Sequence, residues 1–581
     1  MKHKIIDIVQ VALKRLEKQW GLSEGIKADI EVEIPRNESL GDITTTLAMS
    51  LAKTLKKPPR EIARDIVNAI TSPHPPLAGG ELKRGAIFEK IEVAGAGFIN
   101  FTFKREYLYQ SLEKLLSNKY LFLRVDIGGG RKVQIEFVSA NPTGPLHIGH
   151  GRGAAVGNAL SNILEAAGYK VQKEYYINDA GVQVKMLGQS VYAKYQQVLG
   201  NDIKFPENGY HGAYIESISE EIIKNAGNKY LGTSFDECGK IFMNYAYKKM
   251  LAQIAQDLRD FGVAFDRWQS EKELYEKGDV DDSLAVLREM GLLYKQDDAL
   301  WFASAKFGDD KDRVVVKKDG EYTYFASDIA YHKDKLDRKF DTIIDIWGAD
   351  HHGYIPRLRS VLKAFGLPEG KFKVILIQMV SLLRHGKPVQ MSKRSGEFIT
   401  LREVIEEVGA DTAKFIFLTR RADSHLDFDI DIAKEQSAEN PVFYVQYAFA
   451  RIASIFKKRG QGETERVQGF KGSRVQGEEE GKEKGQGIDL SFLKEAEEIS
   501  IIKKLLQYPM LFEGAALSFE PHRITFYLQE LAKLFHSYYN KHRVITDNEA
   551  LTSARLCLCR AVQAVLEEGL KMLGVSAPER M

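Results

Sequence analysis

The stretch that most restricts how this chain folds is residues 133–176, where a strand, a break, a helix and a second strand follow in order. Val133, Ile135 and Phe137 alternate with polar residues, as a half-buried strand does. Asn141, Pro142, Thr143, Gly144 and Pro145 break that strand. After His147, Ile148, Gly149, His150 and Gly151, apolar residues recur at helical spacing: Ala155, Ala159, Leu160, Ile163 and Leu164. Gly168 suits a C-cap, and residues 171–176 read as the next strand. The unit is βαβ, with glycines and two histidines at the turn into its helix. Free backbone N–H groups and the positive end of the helix dipole make such a turn an anion site. Glycine lets a phosphate approach the backbone, and the imidazoles can donate to its oxygens.

A second phosphate-suited stretch lies far downstream. Gln390, Met391, Ser392, Lys393, Arg394, Ser395 and Gly396 form a Ser/Gly-bearing loop whose lysine would offset polyphosphate charge. The bland alternative for His147 and His150 is two polar residues near a helix start, and the second stretch, alone, reads as a solvated turn. In this order and at this separation the pair is far more specific.

The pair resembles the class I aminoacyl-tRNA synthetases, and the rest of the chain narrows the likeness to the arginyl family. The segment Glu136, Phe137, Val138, Ser139, Ala140, Asn141, Pro142, Thr143, Gly144, Pro145, Leu146, His147, Ile148, Gly149, His150 matches that family's HIGH region almost letter for letter. Further matches are Asn178-Asp179-Ala180-Gly181, Tyr324 with Asp328, Trp347-Gly348-Ala349-Asp350-His351-His352-Gly353, and the run from Asn440 to Ala448. Gln390 departs from the family, which has lysine there.

The resemblance implies an α/β fold: a Rossmann-type doubly wound catalytic core, an N-terminal α/β module and a C-terminal all-α helix bundle. It divides the chain into 1–112, contacting the tRNA elbow, a catalytic part at 113–432 with an insertion around 185–320, and an anticodon-binding bundle at 433–581. The implied reaction activates L-arginine with ATP, then transfers it to tRNA(Arg). His147, His150 and Lys393 would be catalytic, and Gly149, Gly151, Met391 and Ser392 would contact ATP. Glu136, Ser139, Asn141, Tyr324, Asp328 and His351 would hold arginine. A guanidinium is planar and permanently charged, so carboxylates in a fixed fork suit it, and Asp328 and Glu136 are the two assigned. The bland alternative for Asp328 is an N-cap of a helix at 329–336. Mg²⁺ would arrive with ATP, held by phosphate and water more than by protein. The family also implies a monomer, and activation that requires bound tRNA.

Composition agrees with this reading without adding to it. With 581 residues, 44% apolar and 28% charged, the chain fits a globular protein of three or four domains. No apolar run approaches a membrane span. The three cysteines, Cys238, Cys557 and Cys559, give neither a disulfide framework nor a structural zinc pattern, and suit the cytoplasm. A net charge of +2 argues against indiscriminate nucleic-acid coating, although local patches such as Lys53, Lys56, Lys57, Arg60 and Arg64 suffice for phosphate contacts. Their alternative is a solvated helix face. In the C-terminal part, Gln446, Tyr447, Phe449 and Arg451 are candidates for RNA, with core packing the alternative for Tyr444, Tyr447 and Phe449. Residues 457–487 have almost no apolar side chains and read as a disordered insert between two helices. The competing functions are a synthetase for another amino acid, a small nucleotidyltransferase, and a non-catalytic tRNA-binding paralogue. Missing cysteine ligands, acidic pocket candidates, the extra terminal domains and intact His147, His150 and Lys393 weigh against them in turn.

Overall fold

The computed structural model describes residues 2–21, 28–35, 37–72, 87–389, 399–459 and 488–581. α1 (Lys2–Gln19) buries Ile5, Ile8, Val9, Ala12, Leu13 and Leu16 at helical spacing. With α2 (Leu47–Leu55) and α3 (Pro59–Thr71) it covers an antiparallel sheet of β1 (Ile43–Thr45), β2 (Phe88–Ala94) and β3 (Phe98–Phe103), β3 in the centre. Pro59 opens α3, where a missing N–H leaves nothing unpaired. α4 (Arg105–Ser117) and α5 (Lys119–Leu123) then run along the C-terminal bundle. The Tyr109 hydroxyl donates to the Leu493 carbonyl at 2.7 Å, and Arg124 pairs with the buried Glu568 at 2.6 Å.

β4 (Lys132–Glu136), α6 (Ile148–Ala166) and β5 (Lys170–Ile177) form the βαβ unit expected from the sequence. Three helices follow: α7 (Val182–Val198), α8 (Ala213–Ala226) and α9 (Phe235–Asp260). They share a small apolar cluster of their own, including Leu187, Val191, Tyr195, Ile218 and Phe242. The chain then returns to the main sheet as β6 (Arg267–Ser270). The insertion read as one block around 185–320 is therefore interrupted by a strand of the core. Beyond it come α10 (Glu271–Glu276), α11 (Asp279–Glu289), a three-stranded sheet of β7 (Leu293–Gln296), β8 (Ala299–Phe302) and β9 (Arg313–Val316), and α12 (Tyr324–Asp337).

β10 (Thr342–Gly348), α13 (Ile355–Ala364) and β11 (Phe372–Ile377) complete the core. The strand order is β11-β10-β4-β5-β6, and every pairing is parallel. The order reverses between β4 and β10. In a doubly wound sheet, that point, at the carboxyl ends of the strands, is where ligands sit. β4 was read as half-buried, but it is buried on both faces from Val133 to Glu136. One face meets α6, and Lys335 of α12 reaches Glu136 on this strand.

β12 (Val380–Arg384), β13 (Lys387–Pro388) and β14 (Leu426–Asp429) make a further small sheet beside α14 (Leu401–Val408), α15 (Ala410–Phe417) and α16 (Ile430–Lys434). The bundle comprises α17 (Pro441–Arg459), α18 (Ala496–Ser518), α19 (His522–Lys541) and α20 (Glu549–Met572). Cys557 and Cys559 are buried in α20, as core packing requires. α17 carries the helix through Arg459, so the first three residues of the expected insert are helical; 460–487 lie outside the described residues. Among the described residues no helix is long and apolar enough to cross a membrane.

Candidate active site

The turn into α6 organises the site. His147 is the N-cap: its Nδ1 accepts from the Gly149 N–H at 3.1 Å, while its own N–H donates to His150 Nδ1 at 3.2 Å. The two imidazoles stack with ring centroids 3.7 Å apart. Because both Nδ1 atoms accept, each neutral ring carries its proton on Nε2. The helix thus presents a pair of donors beside the positive end of its dipole. Gly149 matters here, since a Cβ would stand 3.0 Å from the His147 ring. Gly151 also lets α6 pack closely: a Cβ there would meet Leu401 at 2.7 Å and Phe417 at 3.2 Å.

Met391, Ser392 and Lys393, together with Gln390, lie outside the described residues. The chain directly after them returns to the α6 turn. The Ile148 N–H donates to the Ile399 carbonyl and the Leu401 N–H to the Leu146 carbonyl, with His147 bridged to Thr400. The described residues that follow the second stretch, 399–401, thus lie against the turn that carries the first. Arg152, fully buried, ties α6 to the link between β11 and β12 and to the turn after α15, donating to the Gln378 and Arg421 carbonyls at 2.8 Å each. Burial draws its guanidinium down to about 10.

At the carboxyl ends of β5 and β6, on the edge of the sheet from which the α6 turn also leaves β4, stands a group of carboxylates. Asp328 accepts from the Tyr354 hydroxyl, and burial raises its carboxyl above the ordinary range. Ser327, its neighbour on α12, donates to Glu271 Oε1 at 2.8 Å. Glu271 is 2% exposed, and its Oε2 has no hydrogen-bond partner among the described residues. Burial first, then the negative charges of Asp328 and Asp179, push its carboxyl up to about 7 against the Ser327 bond. Asp179 is saturated by the Tyr247 hydroxyl, the Ser270 hydroxyl and the Lys272 N–H.

The structure revises several sequence readings here. α12 begins at Tyr324 with Thr323 as N-cap, so Asp328 lies in its second turn and is not an N-cap. Tyr324 is 61% exposed, and its hydroxyl reaches toward Gly181 and Asn178, where a Cβ on Gly181 would lie 3.7 Å from it. Glu136 is not an open carboxylate. Buried Lys335 donates to its Oε2 at 2.6 Å, and Ser139 Oγ donates to its Oε1 at 2.9 Å. The same lysine donates to Asp345 Oδ1 at 2.8 Å, and His332 bonds Asp345 Oδ2 at 3.0 Å. Burial pulls the Lys335 ammonium down, but the two carboxylates outweigh it and keep the group charged. Asn141 donates to Gln183 Oε1 at 2.7 Å. His351 is exposed on the 3-10 turn Ala349–Tyr354 after β10, its Nε2 3.8 Å from Asp350 Oδ2.

A second feature lies in the bundle. Tyr447, Arg451, Lys458, Tyr539, Arg543 and Arg580 line a groove of about 810 Å³. Arg451 stacks over both tyrosine rings at 4.5 and 4.7 Å. Gln446 and Phe449 are turned inward: Gln446 donates to the Ser576 carbonyl at 2.9 Å, and Phe449 is buried.

The family described as tRNA synthetases class I (R), catalytic domain, matches residues 111–427. The arginyl tRNA synthetase N terminal domain matches 3–103, and the DALR anticodon binding domain matches 445–581. The chain belongs to the arginyl-tRNA synthetases.

Curated relatives agree with the assignment. An arginine--tRNA ligase from Syntrophotalea carbinolica is 47% identical over 100% of both chains. One from Geobacter sp. strain M21 is 49% identical over 96% of each. Among solved structures, the Thermus thermophilus arginyl-tRNA synthetase shares the fold at a TM-score of 0.75, with 20% identity and full coverage of both chains. Sequence reasoning about this arginyl-tRNA synthetase missed Glu271, Tyr354 and Lys335. Glu271 follows a four-residue strand and shares its helix with Glu273 and Glu276, so nothing local distinguishes it. Tyr354 stands one residue beyond a quoted motif, and nothing local distinguishes Lys335 from other lysines late in a helix.

Proposed function

We propose that this class I synthetase joins arginine to tRNA in two steps with a defined division of labour. The arginine carboxylate attacks the α-phosphorus of ATP and pyrophosphate leaves. A terminal adenosine hydroxyl of tRNA then attacks the acyl carbonyl, and AMP leaves. The chain supplies alignment and charge stabilisation, with no covalent enzyme intermediate. His147 and His150 donate Nε2–H groups to phosphate oxygens, and Lys393 with Ser392 neutralises the departing pyrophosphate. Mg²⁺ enters as part of the nucleotide substrate. Asp328 and Glu271 receive the guanidinium, and Asn141 and Ser139 hold the α-amino end. Tyr324 walls the pocket, and His351 borders it. Glu136, neutralised by Lys335, holds Ser139 in place.

The carrying observation is that half-buried Asp328 stands close enough to buried Glu271 for its charge to raise the Glu271 carboxyl, with Ser327 bonded to Glu271, at the carboxyl edge of the sheet that holds the β4/β10 reversal. Residues 1–112 are assigned to the tRNA elbow, with Lys53, Lys56, Lys57, Arg60 and Arg64 as phosphate contacts. Residues 113–432 are assigned to catalysis and 433–581 to the anticodon, with bases stacking on Tyr447 and Tyr539. A monomer working in the cytoplasm is carried over from the arginyl family.

The test is ATP–pyrophosphate exchange with each common amino acid, with and without total tRNA. Exchange with arginine alone, appearing only when tRNA is present, is the expected outcome. Exchange with a different amino acid would remove the acidic pocket from the mechanism.

Glu271 gives a pH prediction. Its carboxyl takes a proton near pH 7 in the free enzyme, and a guanidinium requires the ionised form. Arginine binding therefore expels that proton below about pH 7. The KM for arginine should rise up to about tenfold per pH unit as pH falls below about 7, and level off above it. Glu271→Gln should weaken binding at every pH and flatten this profile; a profile unchanged from the parent would exclude Glu271 from the pocket.

A further inference from the structure

Directly after β4, Val138 and Ser139 both adopt left-handed backbone conformations, with φ of 69° and 40°. For a β-branched residue this is a strained state that lasts only where surrounding contacts enforce it. Three of the ties come from the sheet itself. Ser139 Oγ donates to Glu136 Oε1 and accepts from the Tyr176 N–H at 3.1 Å, and the Tyr175 hydroxyl donates to the Ala140 carbonyl at 2.7 Å.

Ties also come from outside the sheet: Asn141 donates to Gln183 of α7, and a second reaches the turn from α8. Tyr214, in the first turn of α8, donates its hydroxyl to the Thr143 carbonyl at 3.0 Å. The phenol lies over Gly144, where a Cβ would be 3.3 Å from its oxygen. Gly212, at φ 141°, lets the ring fold back, since a Cβ there would be 2.9 Å from it. Burial keeps the phenol protonated and so a donor. α8 is itself fixed by packing with α7 and α9, so the hydroxyl is held from a firm base.

We propose that Tyr214 is a positioning residue for arginine activation: from the helical insertion it fixes the Thr143 carbonyl, and with it the strained turn that aims Ser139 and Asn141. This rests on the reading of that turn as the amino-acid site. Nothing in the chemistry requires the phenol to touch substrate. The hydroxyl acts through the backbone it holds.

Tyr214→Phe removes that oxygen and keeps the ring. In arginine-dependent pyrophosphate exchange with tRNA present, kcat should fall about tenfold and the arginine KM should rise, with the ATP KM within about twofold. The melting temperature should stay within about 2 °C of the parent. Tyr245→Phe is the control. It removes a hydroxyl of the same insertion that bonds Glu221, away from the turn, and should leave all constants unchanged. Constants for Tyr214→Phe within twofold of an active parent would overturn the proposal. So would equal losses in Tyr214→Phe and Tyr245→Phe, because general loosening of the insertion would then explain both. A parent protein inactive with arginine would overturn the active-site reading and this tether together.

Discussion

Asp328→Asn is expected to lower kcat/KM for arginine about 100- to 1,000-fold while leaving the ATP KM within about twofold. Removing one member of a buried, hydrogen-bonded charge pair costs roughly 2–5 kcal/mol, and every 1.4 kcal/mol is about tenfold. Asn keeps the size of the side chain and its bond to Tyr354, so the fold is preserved while the charge is lost. Its amide would also turn a donor toward a ligand that only donates. The loss should be larger for arginine than for citrulline, whose neutral urea group loses less when the carboxylate goes. Steady-state exchange with both compounds would check this, and equal losses would show that Asp328 holds the fold and not the guanidinium.

Lys335→Met should destabilise the catalytic core by about 3–5 kcal/mol, the typical result of breaking a buried ion pair from one side. In a protein part of this size that corresponds to a fall of roughly 10 °C in the melting transition. The lysine is fully buried and contacts both Glu136 and Asp345. Without it, two carboxylates face each other with His332 as the remaining partner of Asp345. One of them must take a proton, so its folded-state pKa rises above the unfolded value. Stability of the variant is therefore greater at mildly acidic pH and is lost as pH rises through that raised pKa. Adding Asp345→Asn to Lys335→Met should recover part of the loss, since it removes one of the two opposed charges. A melting transition within about 2 °C of the parent would show that the network contributes nothing net.

Much of the site could be read from the chain because its parts are contiguous. The strand, the Pro/Gly break and the histidines at 147 and 150 are local features, and local geometry follows from them. The bonds from 146–148 to 399–401 rest on no comparable signal, but the second signature stretch marks where to look. What failed was burial decided by distant partners. Gln134 and Glu136 are polar, so β4 read as half-buried; the residue that encloses Glu136 is Lys335, 199 positions away. The Asp328 N-cap reading failed for a related reason. An aspartate before an apolar run is an ordinary helix start, but here the helix already begins at Tyr324, whose aromatic ring gave no start signal. Glu271 required the approach of α10 and α12, which no spacing in the sequence announces.

One helix has a consequence for how this pocket can change over evolutionary time. α12 carries Tyr324, Ser327 and Asp328 at its first turns, and His332 and Lys335 one and two turns later in the buried ion network. A shift or rotation of α12 large enough to resize the amino-acid pocket would pull Lys335 away from Glu136 and Asp345. On the proposed assignment, amino-acid preference can change through exchange of individual side chains at the mouth, but not through re-seating of the helix. Inherited folding and inherited substrate choice are coupled in one element, so attempts to retarget the enzyme should randomise positions 324, 327, 328 and 271 and leave 332 and 335 untouched.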